Sequence, residues 1–378
     1  MRSNYKRLGE FIEEVEERNR DLLVTLSQGI CNQKYFQNPR QVAVNSAADK
    51  IVRKGWFAYN RATTRNGDKI SIAYRDDVDC TVSASYLTFR IKDENKLNPY
   101  YLMMWFKRPE FDRYARFKSH GSAHEYFEWD EMCNVLLPVP PIEEQRKIVA
   151  EYQAIEQRIE NNRRLIATLE ATAQTIYRKM FVEDIDPENL PEGWRMGTID
   201  EFCKEIKSGG TPNRSNLKFW DKKQYRWLKS GEVANNVVFD TEEYISEEGL
   251  NGSSARIIPS GAVVMAMYGA TASQVAYLAC PTTTNQACCN MLTNTFEEAA
   301  YLYFHCLFRQ EEIKRLANGG AQENLSQELI CAQPIIICNN ADDIYVFAIL
   351  LQMKIAYAKE ICKLDQLLSI CLSKLIND

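Results

Sequence analysis

The chain has 378 residues, 26% of them charged and 45% apolar, the proportions of an ordinary globular protein with room for two or three domains. No apolar run reaches about 18 residues, so no membrane-spanning helix is expected; the opening Met1-Arg2-Ser3-Asn4-Tyr5-Lys6-Arg7 leads into acidic residues rather than a secretory core, and the expected location is the cytoplasm. The net charge of −5 is uneven, with 22 Lys/Arg against 19 Asp/Glu in residues 1–141 and 13 against 18 in residues 187–340.

From the N-terminus, Leu8-Gly-Glu-Phe11 opens a first lobe. The basic, aromatic segment Arg53 to Asn66 follows, and then the β-like runs 69–74 and 80–90. Residues 98–116 carry a helical pattern. Pro140-Pro141 stop the next strand and open a helix, since proline is tolerated in a first helical turn. Glu143 and Glu144 favour its positive end. This helix should run to about Phe181. Its positions Ile148, Tyr152, Ile155, Ile159, Asn162, Ile166, Leu169, Ala173, Ile176 and Met180 alternate steps of four and three, the mark of an a/d seam. Asp186 to Gly193 reads as a linker. A second lobe follows, with β-like runs at 262–267 and 334–338 and a helical pattern at 297–317. A second seam ends the chain: Phe347, Leu350, Lys354, Tyr357, Ile361, Leu364, Leu368, Cys371 and Leu375.

The chain repeats itself, and repeats govern any reading of fold. Gly121-Ser-Ala-His-Glu-Tyr-Phe-Glu-Trp-Asp-Glu-Met-Cys133 is echoed by Gly319-Gly-Ala-Gln-Glu-Asn-Leu-Ser-Gln-Glu-Leu-Ile-Cys331. Phe111–Ala115 resembles Ile313–Ala317, Leu8–Phe11 resembles Ile199–Phe202, and Gly55–Thr63 loosely matches Gly261–Thr271. The seams superimpose from Tyr152/Phe347 to Met180/Leu375. The expected fold is mixed α/β. Two similar lobes, 1–141 and 187–340, are separated by two long antiparallel coiled-coil helices within 142–186 and 341–378, related by a pseudo-two-fold. A 40-residue helix is roughly 60 Å long, more than one domain needs, so the helices are expected to pack on each other rather than only on their own lobes. Asn162 and Lys354 interrupt the apolar seam, and two readings are equally open: residues that fix register at a cost in stability, or a slip of the seam toward solvent.

Catalytic constellations are missing. Asn98-Pro99-Tyr100-Tyr101 lacks the second proline of an amino-methyltransferase motif and sits at the entrance to a helix; Ser208-Gly209-Gly210-Thr211-Pro212 lacks the lysine of a phosphate loop. No C-x-x-C occurs among the twelve cysteines, and His120, His124 and His305 have no cysteine at ligand spacing, so no metal is expected. Reduced thiols filling small apolar sites are the simpler reading. What stands out is basic residues interleaved with amides and aromatics. Lys and Arg neutralise phosphates, while Arg, Asn and Gln read purine edges. The candidate DNA contacts are Arg53, Lys54, Tyr59, Asn60, Arg61, Thr63, Arg65, Asn66, Lys118 and His120 in the first lobe. In the second they are Thr211, Asn213, Arg214, Lys222, Lys223, Lys229, Ser230, Tyr268 and Gln322. Trp56, Phe57, Trp220 and Trp227 are expected in the core.

The ordered set of motifs resembles the specificity subunit of Type I restriction–modification systems. Its carriers are Leu190-Pro-Glu-Gly-Trp194, Ser208-Gly-Gly-Thr-Pro212, Phe219-Trp220, Trp227-Leu-Lys-Ser-Gly231, Pro259-Ser-Gly261, Met267-Tyr-Gly-Ala270, Asn285-Gln286-Ala287 and the junction Leu137 to Val149. The resemblance implies a non-catalytic subunit with two target-recognition domains, each reading half of a split site in double-stranded DNA. It implies helices that set the spacing and dock two methyltransferase subunits, with restriction (motor-nuclease) subunits joining for cleavage. S-adenosylmethionine, ATP and Mg would then belong to those partners. The second lobe departs from the pattern: Pro334 to Asp343 lacks the Pro-Pro-x-x-Glu-Gln junction. The rival readings are a fused methyltransferase or nuclease, and an assembly scaffold whose lobes bind protein.

Overall fold

Aromatic and β-branched side chains pack well on a pleated surface, and four such segments make the first sheet. In the computed structural model its order is Ile12–Glu14, Tyr86–Ile91, Trp56–Asn60, Ile72–Tyr74, all antiparallel. Phe57 and Phe89 stack across the central pair with ring centroids 4.9 Å apart. Helices Pro99–Lys107 and Pro109–Phe117 supply Phe106 and Phe111 to the same core. Asn98 caps the first of them, its Oδ1 accepting from the N–H groups of Tyr100 (2.9 Å) and Tyr101 (3.2 Å). The Asn-Pro-Tyr-Tyr segment is thus a helix start, with its amide consumed by capping.

The structure describes residues 5–39, 46–62, 69–119, 125–183, 185–317 and 324–375. They fall into two units, Met1–Arg158 with Leu364–Asp378, and Ile159–Lys363.

The second unit repeats the plan of the first. Its larger sheet runs Glu205–Ser208, Cys288–Leu292, Val263–Ala266, Val275–Leu278, and these four match the first sheet strand for strand; Val237–Val238 is added at the edge. Lys50–Val52 pairs antiparallel with Cys80–Val82, as Ile257–Ile258 does with Thr282–Thr284. Tyr5–Arg7 pairs with Leu136–Pro138 as Trp194–Thr198 does with Pro334–Cys338. Even the strained turn is copied: Gly55 has φ +92° and Gly261 φ +93°, a backbone state that disfavours any residue with a Cβ.

The first long helix spans Ile142–Arg178 and closes in a π-turn, Lys179–Glu183. Gln145 fastens its start: fully buried, it donates to the carbonyls of Lys96 (2.9 Å) and Pro140 (2.8 Å) and accepts from the N–H of Asn98 (2.8 Å). The second long helix, Tyr345–Lys374, begins differently. A 3-10 turn at Ala341–Asp343 leads into it, capped by Asn340, and Trp194 Nε1 donates to Asp343 at 2.8 Å. That turn stands where the proline junction is missing.

Within the second unit the helices are antiparallel. Phe347 stands against Tyr177 and Phe181, and about two turns further along Lys354 reaches back to Glu170. Within the first unit, Leu368, Cys371 and Leu375 join the cluster that holds Ile148 and Tyr152. The seam residues Tyr152, Ile159, Asn162, Ala173, Phe347, Leu350, Lys354 and Leu375 are buried. Ile155, Ile166, Leu169, Ile176, Tyr357, Ile361 and Leu364 are half-buried. In the second unit the helices pack on the lobe as well as on each other, because Tyr177, Phe181, Ala348, Leu351 and Ala358 form a second stripe inside the lobe core. A period of 3.6 gives a helix a face wide enough for both tasks.

His305 lies in that core. Its Nδ1 is 2.7 Å from the hydroxyl of Tyr177, and its Nε2 has no partner among the described residues. Burial, with Arg309 adding to it, pushes its pKa down to about 3. The unfolded chain therefore binds a proton below pH ~6.5 that the folded chain refuses. The stability tied to neutral His305 is complete above that pH and is lost as pH falls toward about 3. Urea unfolding is expected to show wild type losing up to about 1.4 kcal/mol per pH unit more than His305→Phe across pH 6 to 4. Parallel curves for the two proteins would refute this.

Candidate nucleic-acid interface

Each unit carries the same small frame beside its sheet. In the first, Ala62 bridges to Tyr126 and the N–H of Phe127 donates to the carbonyl of Arg61 at 2.9 Å. In the second, Tyr268 bridges to Asn324 and the N–H of Leu325 donates to the carbonyl of Met267 at 2.7 Å. The candidate residues Thr63, Arg65, Asn66, His120 and Gln322 lie outside the described residues.

The frame is shared, but the side chains on it differ. The first unit mounts Arg61, which pairs with Glu128 at 3.2 Å and lies 5.7 Å from the ring centre of Tyr126. Lys118 pairs with Glu131 at 3.4 Å. The second unit mounts Tyr268, 43% exposed, beside an open groove of about 730 Å³. Ser208, Gln286 and Gln327 line that groove. The Ser208 hydroxyl donates to Gln327 Oε1, and the Thr211 hydroxyl donates to Gln286 Oε1.

Glycine makes this arrangement possible. A Cβ on Gly209 would stand 2.2 Å from the carbonyl oxygens of both Thr284 and Asn285. Gly210 passes equally close to Ser254, while its N–H donates to Thr284 O at 2.8 Å and its carbonyl accepts from Trp227 Nε1 at 3.0 Å. The segment is pressed onto the strand below, and this sets Ser208 and Thr211 opposite the two glutamines.

Several expected contacts are placed otherwise. Tyr59 is fully buried, its ring against Phe89 and Phe127, and burial pushes its pKa up; it is a core residue and cannot reach a nucleic acid. Its place in a central strand points it to the sheet face that the helices cover. Asn60 accepts from the N–H of Ala62 at 3.1 Å and so shapes the turn. Arg53 is clamped between Glu17 and Asp79, the latter at 2.7 Å, while Lys54 is exposed. Trp227 and Phe57 are buried, and Trp56 and Trp220 are packed against core clusters.

The basic segment of the second unit is largely neutralised from within. Arg214 pairs with Glu243 and stacks on Trp220 and Trp227, 3.8 and 4.6 Å from their ring centres. Lys229 pairs with Glu242 at 2.7 Å and Glu243 at 3.2 Å, and Arg226 with Asp240 at 3.0 Å. The hydrogen bond to Glu242 raises the pKa of Lys229, and that from Arg214 lowers the pKa of Glu243. Asn213 caps the N–H of Ser215 at 2.9 Å. Lys222 and Lys223 are exposed, with Lys223 over the Tyr244 ring; Ser230 starts a 3-10 turn. The acidic partners arrive because strand Tyr225–Leu228 pairs with Glu243–Ile245, a register that neither segment announces. The reading by residue type also missed Gln327. Its signal was the echo of the first lobe's Glu125 to Cys133 region, which places it beside the bridge.

A family model for the Type I restriction modification DNA specificity domain matches twice, at residues 27–171 and 191–356. The chain belongs to that family. Each match covers most of one repeated lobe and part of the long helix that follows it. Among curated specificity subunits, that of the HindI enzyme of Haemophilus influenzae is 21% identical over 79% of this chain and 80% of its own length. That of the EcoR124I/EcoR124II enzymes of Escherichia coli is 24% identical over 38% of this chain and 36% of its own length, so this first relative is matched over about a third of its extent. The Type I S subunit from M. genitalium has the same fold, with a TM-score of 0.57 at 14% identity over 98% of this chain and 95% of that one. A specificity chain of this family recognises DNA and is not itself an enzyme. Among the described residues no helix is long and apolar enough to cross a membrane, and no cluster of three or more His, Cys, Asp or Glu could hold a metal ion.

Proposed function

We propose that this chain reads a two-part site in duplex DNA, with residues 1–141 and 187–340 each recognising one half. The observation that carries the reading is one frame built twice with different chemistry mounted on it: Arg61, Glu128 and Tyr126 in one copy, Tyr268, Gln286 and Gln327 in the other. Duplicated frames with divergent side chains suit two readers of two sequences; a scaffold binding the same partner twice would keep the side chains alike. Base edges are what side chains discriminate, while phosphate contacts position the protein.

The long helices 142–186 and 341–378 then set the gap and dock two methyltransferase subunits. S-adenosylmethionine, ATP and Mg belong to the methyltransferase and to the motor-nuclease subunits that join for cleavage. With an overall charge of −5, partners supply much of the positive surface that DNA affinity requires. Helix length acts on spacing because one base pair is about 3.4 Å and a tenth of a turn.

The test is methylome sequencing of cells carrying this subunit with its methyltransferase partner. The expected output is one two-part motif. Exchanging residues 1–140 should change one half only, and adding or deleting a few residues within 150–175 should change only the gap. An altered gap after the exchange, with both halves intact, contradicts the reading. Methylation by the purified chain alone would favour an enzyme, and DNA binding that is absent or insensitive to salt, partner present, would favour a scaffold.

A further inference from the structure

We infer that Gln286 and Gln327 are the base-reading side chains of the second unit, and that their ligand is a purine edge, adenine first. The inference rests on the DNA-reading function proposed above and assigns residues to it.

The groove beside Tyr268 has the wrong charge for phosphate. Its described lining holds no Lys or Arg and includes two carboxylates, Asp200 and Glu328. A phosphate brought there would meet repulsion with nothing to offset it. A base edge would not, since it is neutral and presents donors and acceptors.

Each of the two amides is held by a hydroxyl. Each carbonyl oxygen accepts one hydroxyl, Thr211 on Gln286 and Ser208 on Gln327. An amide oxygen has two lone pairs, and the NH₂ has two donors. Each glutamine therefore keeps one acceptor site and its NH₂, which has no partner among the described residues. One acceptor beside one donor is the pattern that pairs with adenine N6–H and N7. Each hydroxyl holds its amide in place, so little orientation is left to be lost on binding. Gly209 and Gly210, pressed onto Thr284 and Ser254, hold Ser208 and Thr211 in place.

The first unit differs at these positions. In the aligned repeat Gln327 corresponds to Trp129 and Met267 to Arg61. At the place of Gln327 the first unit thus has a tryptophan packed toward Phe89, and at the place of Arg61 the second unit has a buried methionine, so the side chains mounted on the frame are not shared between the copies.

The test uses the subunit assembled with its methyltransferase partner. Wild type, Gln286→Glu, Gln286→Ala and Gln327→Ala are compared by methylome sequencing, and by competition binding with duplexes altered one base at a time in each half. The alanine variants are expected to lose about tenfold or more in discrimination at adenine positions of one half, a single bidentate contact. Gln286→Glu replaces donor by acceptor and is expected to shift that position toward cytosine, whose N4 donates. The other half should stay as in wild type. Unchanged preference in all three variants, or equal losses in both halves, overturns the assignment and leaves the two-part reading standing. A wild-type complex that yields no two-part motif overturns both.

Discussion

Replacing Glu170 by alanine should destabilise the second unit by about 3 kcal/mol, more than removing the lysine it partners. Lys354 has a side chain only 2% exposed, whereas that of Glu170 is 26% exposed. The ammonium is held by Glu170, by the Tyr303 hydroxyl and by the carbonyl of Asn235 at 2.9 Å. Burial pulls its pKa down and Glu170 opposes that pull. Breaking a buried pair from one side strands a charge that cannot hydrate, at a cost of about 3–5 kcal/mol. The quarter-exposed carboxylate places this pair at the lower end. Lys354→Met instead removes the deeply buried charge, leaves an apolar chain of similar length, and lets Glu170 turn to water. It should cost distinctly less, since exchanging buried ions for apolar groups is often close to neutral. Urea unfolding of the three proteins decides the order. A larger loss for Lys354→Met than for Glu170→Ala would show that the pair stabilises in its own right. The expected order would mark it as a register device: one polar contact that the two helices and the lobe satisfy in a single alignment.

Phe347→Ala is expected to cost about 3–5 kcal/mol. Phe347 is fully buried, with ring centres of Tyr301, Phe304, Phe181 and Tyr177 between 5.8 and 6.2 Å away. These four rings come from the first long helix with its closing turn and from the lobe helix Phe296–Phe308, while Phe347 itself stands on the second long helix. Truncation would leave a cavity walled by rigid aromatics, which relax little into the space. Phe347→Leu keeps most of the volume and should lose under about 1.5 kcal/mol. Because the residue lies in packing rather than at the candidate interface, neither variant should alter the bases recognised at a temperature where the chain stays folded. Loss of stability appears in urea midpoints, and unaltered recognition in methylome sequencing. A changed half-sequence for Phe347→Leu would contradict that separation.

The duplication, the two long helices and the family were legible in the residues alone, because each rests on something local or on order along the chain. Seam spacing needs only the helical period, and the echo of Gly121–Cys133 in Gly319–Cys331 needs only comparison of one stretch with another. Both survive without knowledge of what folds against what. The exposure of particular side chains was decided elsewhere. Tyr59 lies in a basic, aromatic segment and is nonetheless sealed in the core, since a strand in mid-sheet turns alternate residues to a covered face. Arg214 and Lys229 look like phosphate contacts by type, yet strand pairing brings Glu242 and Glu243 onto them. Gln286 and Gln327 are 41 residues apart (327 − 286) and share a groove only through the tertiary fold. Period and repetition are properties of a sequence, whereas neutralisation, burial and convergence belong to pairs of distant residues, and the folded register chooses those pairs.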